Sequence, residues 1–115
     1  MLVSKKIAAF VVLIAATLLF TACPSQTNIA KINANPDRYR GKEVGIAGRV
    51  TDSYGALGVG AYEIDDGTGK MWVATKTGLP SRGARVGAKG YVRNGFSFNG
   101  RSYGTIIEET DRRSR

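Results

Sequence analysis

Residues able to do covalent or metal chemistry are scarce in this chain. It has no histidine and a single cysteine, Cys23. A zinc or other nitrogen–sulfur metal site needs several such ligands, so no metal is expected. The serines have no histidine base to activate them. Asp65 and Asp66 are adjacent, so at a strand end their side chains point apart and cannot work as an acid–base pair. They also lack the twelve-residue ligand spacing of a calcium loop, and they read as turn residues. Gly67-Thr68-Gly69-Lys70 has the flavour of a phosphate loop. That motif, however, needs four residues between its glycines and a Ser or Thr after the lysine, where Met71 stands. Gly58-Val59-Gly60 lacks the third glycine of a dinucleotide fingerprint. The expectation is a protein with no catalytic residues, no metal and no cofactor.

Surface chemistry remains. If Met71 and Val73 face a core, then Lys70, Trp72 and Ala74 face outward. Arg49 and Glu63 share that outward parity on two earlier runs, and Lys89, Tyr91 and Arg93 share it on a later one, although that run is expected on another part of the wall. An exposed tryptophan flanked by cations can stack a base or a sugar ring, at ~1–3 kcal/mol per stacked base. The candidate ligand-binding residues are therefore Trp72, Arg49, Lys70, Tyr91 and Arg93. The plainer alternative is that Trp72 covers a gap beside a helix and the cations are solvated. In that case the basic surface near Arg82, Arg85 and Arg93 is the next candidate.

The elements that must position these residues are strands. Val44, Ile46 and Val50 alternate with Gly45, Ala47 and Arg49; Tyr62 and Ile64 carry a second run, and Met71 and Val73 a third. Alternation with a period of two marks strands with one buried face. The first strand is predicted over about 43–52, the second over 61–65 and the third over 70–75. Asp65-Asp66-Gly67-Thr68-Gly69 supplies the turn between the last two. Pro80 and two glycines make 76–85 a loop. Val86, Ala88 and Val92 then give a fourth strand to Arg93, and a reversal of Asn-Gly type leads to a fifth over about 101–108. Ile46, Val50, Ile64, Val73 and Val92 are the expected core. Ahead of the strands, Ile29 and Ile32 share a face of a short helix capped by Thr27 or Asn28 and stopped by Pro36.

The first 22 residues stand apart. Lys5 and Lys6 precede an apolar run over 7–20, too short for a membrane span, which needs about 20 residues, and of the right length for a secretory signal. Leu19-Phe20-Thr21-Ala22-Cys23 resembles a bacterial lipobox, with Phe20 where Leu is commoner. That resemblance implies lipid attachment at Cys23 as the new N-terminus. An ordinary signal followed by a stray cysteine is the alternative. Residues 23–28 would be a polar tether, 29–109 the domain, and 110–115 a disordered basic tail. Two of the 17 basic residues lie in the signal, which leaves 15 against nine acidic, a net +6. Such charge suits an anionic ligand or anionic headgroups, at about 1 kcal/mol per cation near the surface.

Three segments in order, Asn35 to Val50, Glu63 to Val73 and Arg85 to Val92, resemble an OB-fold of the tRNA-anticodon-like type. The resemblance implies a mainly β, five-stranded Greek-key barrel with a short N-terminal helix, whose second and third strands and adjoining loops form the ligand face. Many OB-folds place a helix between strands three and four. Here a Gly/Pro loop fills that connection, so Ile29 and Ile32 are expected to plug the barrel end instead. Two functions follow as expectations. One is a lipid-anchored envelope binding module for an anionic or ring-bearing ligand, whether oligonucleotide, glycan or peptide. The other is a structural or stress-tolerance envelope lipoprotein acting through contacts with an envelope protein. The lipobox resemblance, with Pro24 after the cysteine rather than Asp, implies the outer membrane facing the periplasm if the cell has two membranes.

Overall fold

The computed structural model describes residues 26–56, 59–98 and 100–114. The signal segment, Cys23 and its lipidation therefore lie outside the described residues. Within them are two short helices, α1 (Ile29–Ala34) and α2 (Pro36–Tyr39), and five strands: β1 (Glu43–Ala56), β2 (Val59–Asp65), β3 (Lys70–Thr75), β4 (Arg85–Phe98) and β5 (Arg101–Ser114). The sheet closes in the order β1-β2-β3-β5-β4, with β3 and β5 parallel and every other pair antiparallel. This closed Greek-key barrel is an OB-fold.

Alternation along the strands fills the interior. Val44, Ile46, Val50, Tyr62, Ile64, Met71, Val73, Val86, Ala88, Val92 and Ile107 form one cluster with Ile29 and Ile32 of α1. The five residues expected in the core, Ile46, Val50, Ile64, Val73 and Val92, are at most 1% exposed. Both helix isoleucines are fully buried, so α1 closes one barrel end as the sequence suggested. Neither Thr27 nor Asn28 caps that helix with its side chain, which corrects the expectation. The cap comes from the β2–β3 turn: Asp66 Oδ2 accepts from the Ile29 N–H at 2.9 Å and Thr68 Oγ1 from the Ala30 N–H at 3.2 Å.

Several strands outrun their predicted ends, because pairing continues wherever a partner strand is present. β1 reaches Ala56, and β4 continues through Asn94-Gly95 to Phe98. The expected disordered tail at 110–115 is corrected as well: β5 runs to Ser114, with Ser114 opposite Val86 and Arg113 opposite Gly87. The tether is shorter than expected, since Gln26 bridges Gly45 and the Thr27 N–H donates to the Gly45 carbonyl at 2.7 Å. The loop between β3 and β4 closes the other barrel end. It is strapped to β1 by Val50 N–H to Ala84 O at 2.9 Å and Gly83 N–H to Val50 O at 2.8 Å. The β1–β2 register shifts between Val50 and Asp52, where that strap has taken the Val50 backbone groups.

Candidate functional site

Cross-strand register arranges the outward side chains of β1, β2 and β3 in rows. Arg49, Asp65 and Lys70 make one row; Asp52, Glu63 and Trp72 the next; Tyr54, Ala61 and Ala74 the third. Arg49 and Lys70 thus flank Asp65, one row from Trp72. Trp72 is half-buried, and its ring meets Tyr103 of β5 in an edge arrangement with centroids 4.9 Å apart and planes at 66°. Beyond Trp72 on the next strand stands Ile106, which has the outward parity yet is 1% exposed.

Two hairpin arms bracket this face. The β1–β2 hairpin extends past the Thr75 end of β3, and Gly55 faces Gly60 in it. A Cβ on Gly60 would lie 2.4 Å from the Tyr54 carbonyl oxygen, so this close approach demands glycine. The β4–β5 hairpin extends from the opposite end, because β5 runs parallel to β3 and reaches Ile106 only after residues 101–105. Tyr54 lies on the first arm, 40% exposed, and Tyr103 on the second. Between them Ala74 is half-buried, whereas Ala61, although it has the outward parity, is 0% exposed and lies covered. The sequence reading placed Ala74 outward but missed Tyr54 and Tyr103. Tyr103 sits where the β4–β5 register shifts, beside Gly104 at φ +68°, so counting by twos along β5 could not have aimed it at Trp72.

The remaining predicted residues do not join this face. Tyr91 and Arg93 lie on β4, two strands from Trp72 across β5. There the Arg93 guanidinium sits 5.8 Å from the Tyr91 ring centroid and pairs with Glu108 at 3.2 Å. Both members of that pair are about half exposed, where such bridges contribute ~0–1 kcal/mol. Of the fallback residues, Arg82 is held by Asp52 at 2.6 Å. Arg85 stands directly opposite Arg49, and the two line an open groove of about 390 Å³ together with Ala47, Gly48 and Asp65.

The turn aspartates have structural work. Asp65 Oδ1 accepts from the Gly67 N–H at 2.8 Å. Asp66 Oδ1 accepts from the Thr68 hydroxyl at 2.6 Å and from the Thr68 and Gly69 N–H groups at 2.8 and 3.1 Å. Burial alone would raise the Asp66 carboxyl, but the donated bonds from Ile29, Thr68 and Gly69 outweigh it and hold it below the ordinary carboxylate value.

A second polar cluster lies inside the barrel. Glu109, whose side chain is 4% exposed, accepts from the Tyr62 hydroxyl, from Thr75 and Thr77 at 2.9 and 3.0 Å, and from Arg112 at 3.4 Å. Burial, reinforced by Glu109, pushes the Tyr62 hydroxyl far above the usual phenol range, so it remains a donor. Arg112 also donates to the Gly78 carbonyl at 2.8 Å, which ties β5 to the loop at that barrel end. Every oxygen of the carboxylate has partners and Tyr62 is fully buried, so the cluster fastens the loop to the barrel rather than facing a ligand.

No protein-family model matches this chain, and no curated protein sequence does. Among solved structures it is similar to an OBody bound to hen egg-white lysozyme, at 21% identity and a TM-score of 0.56, over 81% of this chain and 96% of that one. A second OBody bound to the same protein gives 20% identity and 0.57, over 80% and 96%. A third gives 20% and 0.56, over 78% and 93%. Likeness at this level establishes the shared barrel.

Proposed function

We propose that this chain is a lipid-anchored envelope module, not an enzyme, that binds a ring-bearing ligand across β2 and β3 between the two hairpin arms. The observation that carries the reading is the Trp72–Tyr103 pair, with the half-buried Ala74 one row from Trp72 and Tyr54 at the far end of that row. Aromatic rings held by neighbours stack a flat partner with little loss of rotamer freedom. Asp52 and Glu63 share the Trp72 row, and Asp65 separates Arg49 from Lys70, so the face is not uniformly cationic. That balance favours a glycan or an aromatic-bearing peptide over an oligonucleotide. Cys23 supplies the anchor in this reading, and Pro24 after it points to the outer membrane and the periplasm.

Binding of an oligosaccharide, peptide and oligonucleotide panel by the wild-type chain and Trp72→Ala is the test. Loss of one stacked ring should weaken binding at least about tenfold, since 1.4 kcal/mol is one decade. Unchanged affinity across every ligand bound would refute the stacking face. A second reading, an envelope lipoprotein acting through a protein partner, draws support from the OBodies, whose barrels hold lysozyme. Co-purification of one envelope protein, lost in Trp72→Ala and indifferent to the small ligands, would favour it.

A further inference from the structure

We infer that the wall made by β1, β4 and β5 is a docking surface for the anionic lipid headgroups of the membrane that holds the chain; this rests on the lipid-anchor reading. Three observations converge on that wall. The first is where the tether lands. Gln26 and Thr27 are fixed against Gly45 on β1, and Gly45 pairs with Lys89 on β4. Only Pro24 and Ser25 separate Cys23 from Gln26, and three extended residue steps reach at most about 11 Å. A lipid on Cys23 therefore holds this side of the barrel close to the headgroup layer.

The second is charge. Arg49 lies directly opposite Arg85, and Lys89 stands four pairs farther along, while Arg113 of β5 sits opposite Gly87. Among the described residues Arg49, Arg85 and Lys89 have no acidic partner within 4 Å and Arg113 has only Asp111 at 3.9 Å, while Asp65 opposite Arg49 on β2 and Asp111 opposite Lys89 on β5 offset part of the charge without pairing closely with it. Like charges directly opposite on neighbouring strands repel, and a layer of anionic headgroups relieves that repulsion. The third is shape. Between the cations the outward positions are Gly45, Ala47 and Gly87, so nothing bulky holds a flat surface away. In the closed order β1-β2-β3-β5-β4, β4 lies across the barrel from β2 and β3. Arg49 stands on the β1 edge that this wall shares with the Trp72 face, and docking by the wall leaves Trp72 itself on the solvent side.

The test uses the full lipidated chain in nanodiscs of phosphatidylcholine, with and without phosphatidylglycerol. Ala47→Cys on the wall, or Lys76→Cys at the far end of β3, carries an environment-sensitive fluorophore. The label at 47 should shift to the blue and resist aqueous quencher only in the anionic discs. The label at 76 should not respond. Salt at about 1 M, where the Debye length is about 3 Å, should erase the response. Replacing Arg49, Arg85 and Lys89 by Gln should lower the docked-to-undocked ratio about fivefold for each cation removed, with the thermal midpoint checked for an intact fold. One label per chain with no difference between the two disc types overturns the docking surface and leaves the anchor standing. Two labels per chain, the second on Cys23, means a free thiol; the anchor reading then fails and the tethered docking with it. A response at 47 to soluble polyphosphate but not to anionic discs also overturns the membrane as occupant.

Discussion

Asp66 offers the sharpest test of how this barrel is held together, because one half-buried carboxylate serves two elements distant in sequence. It accepts four hydrogen bonds: one from the Ile29 N–H at the start of α1, and three from Thr68 and Gly69 in the β2–β3 turn. A side-chain helix cap contributes about 1 kcal/mol. The turn bonds, being close to solvent, add about another 1–2 kcal/mol together. Asp66→Ala should therefore cost about 2–3 kcal/mol, a fall in Tm of about 10–20 °C for a domain of this size. Asp66→Asn keeps the Oδ1 acceptor for the turn but puts an amide NH2 where the Ile29 N–H needs an oxygen. Its cost should be the helix cap alone, about 1 kcal/mol, or about 4–8 °C.

The pH dependence follows from the same bonds. The folded carboxyl is held below its ordinary value, so its contribution is fully present above the unfolded pKa of about 3.9 and is lost as pH falls through the folded value. The stability gap between wild type and Asp66→Ala should stay constant from neutral pH to about 5 and narrow below about 4. Thermal unfolding followed by circular dichroism over that range measures it. If Asp66→Ala costs no more than Asp65→Ala, which loses only the bond from Gly67, the carboxylate does not hold the helix to the turn and the argument fails.

Val73→Ala, at a fully buried position in the barrel centre, should destabilise by ~1–3 kcal/mol in denaturant unfolding. Gly90→Ala puts a Cβ 2.0 Å from the Glu108 carbonyl oxygen, a backbone atom that cannot swing aside; a loss of about 2 kcal/mol or more should appear as a lower denaturation midpoint. Glu109→Ala strips Arg112, Tyr62, Thr75 and Thr77 of their shared acceptor and should cost about 3 kcal/mol, whereas Tyr62→Phe removes a single donor and should cost about 1. Labelled fatty acid should enter the wild-type chain in cells and be absent from Cys23→Ser.

Alternation alone determined which residues of β1 to β4 face inward. Val44 through Val50, Tyr62 with Ile64, Met71 with Val73, and Val86 through Val92 all carry the pattern in the chain itself, since a strand's period is local. The turn at 65–69 was equally legible, because aspartate and glycine act there on their own neighbours. What the sequence could not hold is whatever depends on two segments meeting. Residues 110–114 look like a polar tail, yet they become strand because β4 offers them a ladder of backbone partners. Asp66 reads as a turn residue, and only closure of the barrel brings the start of α1 within 2.9 Å of its free oxygen. Trp72 gains Tyr103 through a register shift in β4–β5 that period-two counting cannot see. Arg93, grouped with Trp72 by parity, belongs instead to Tyr91 and Glu108, since parity fixes inside or outside but not which wall. Those outcomes rest on strand order and on bulges, and both are settled by long-range pairing when the barrel closes.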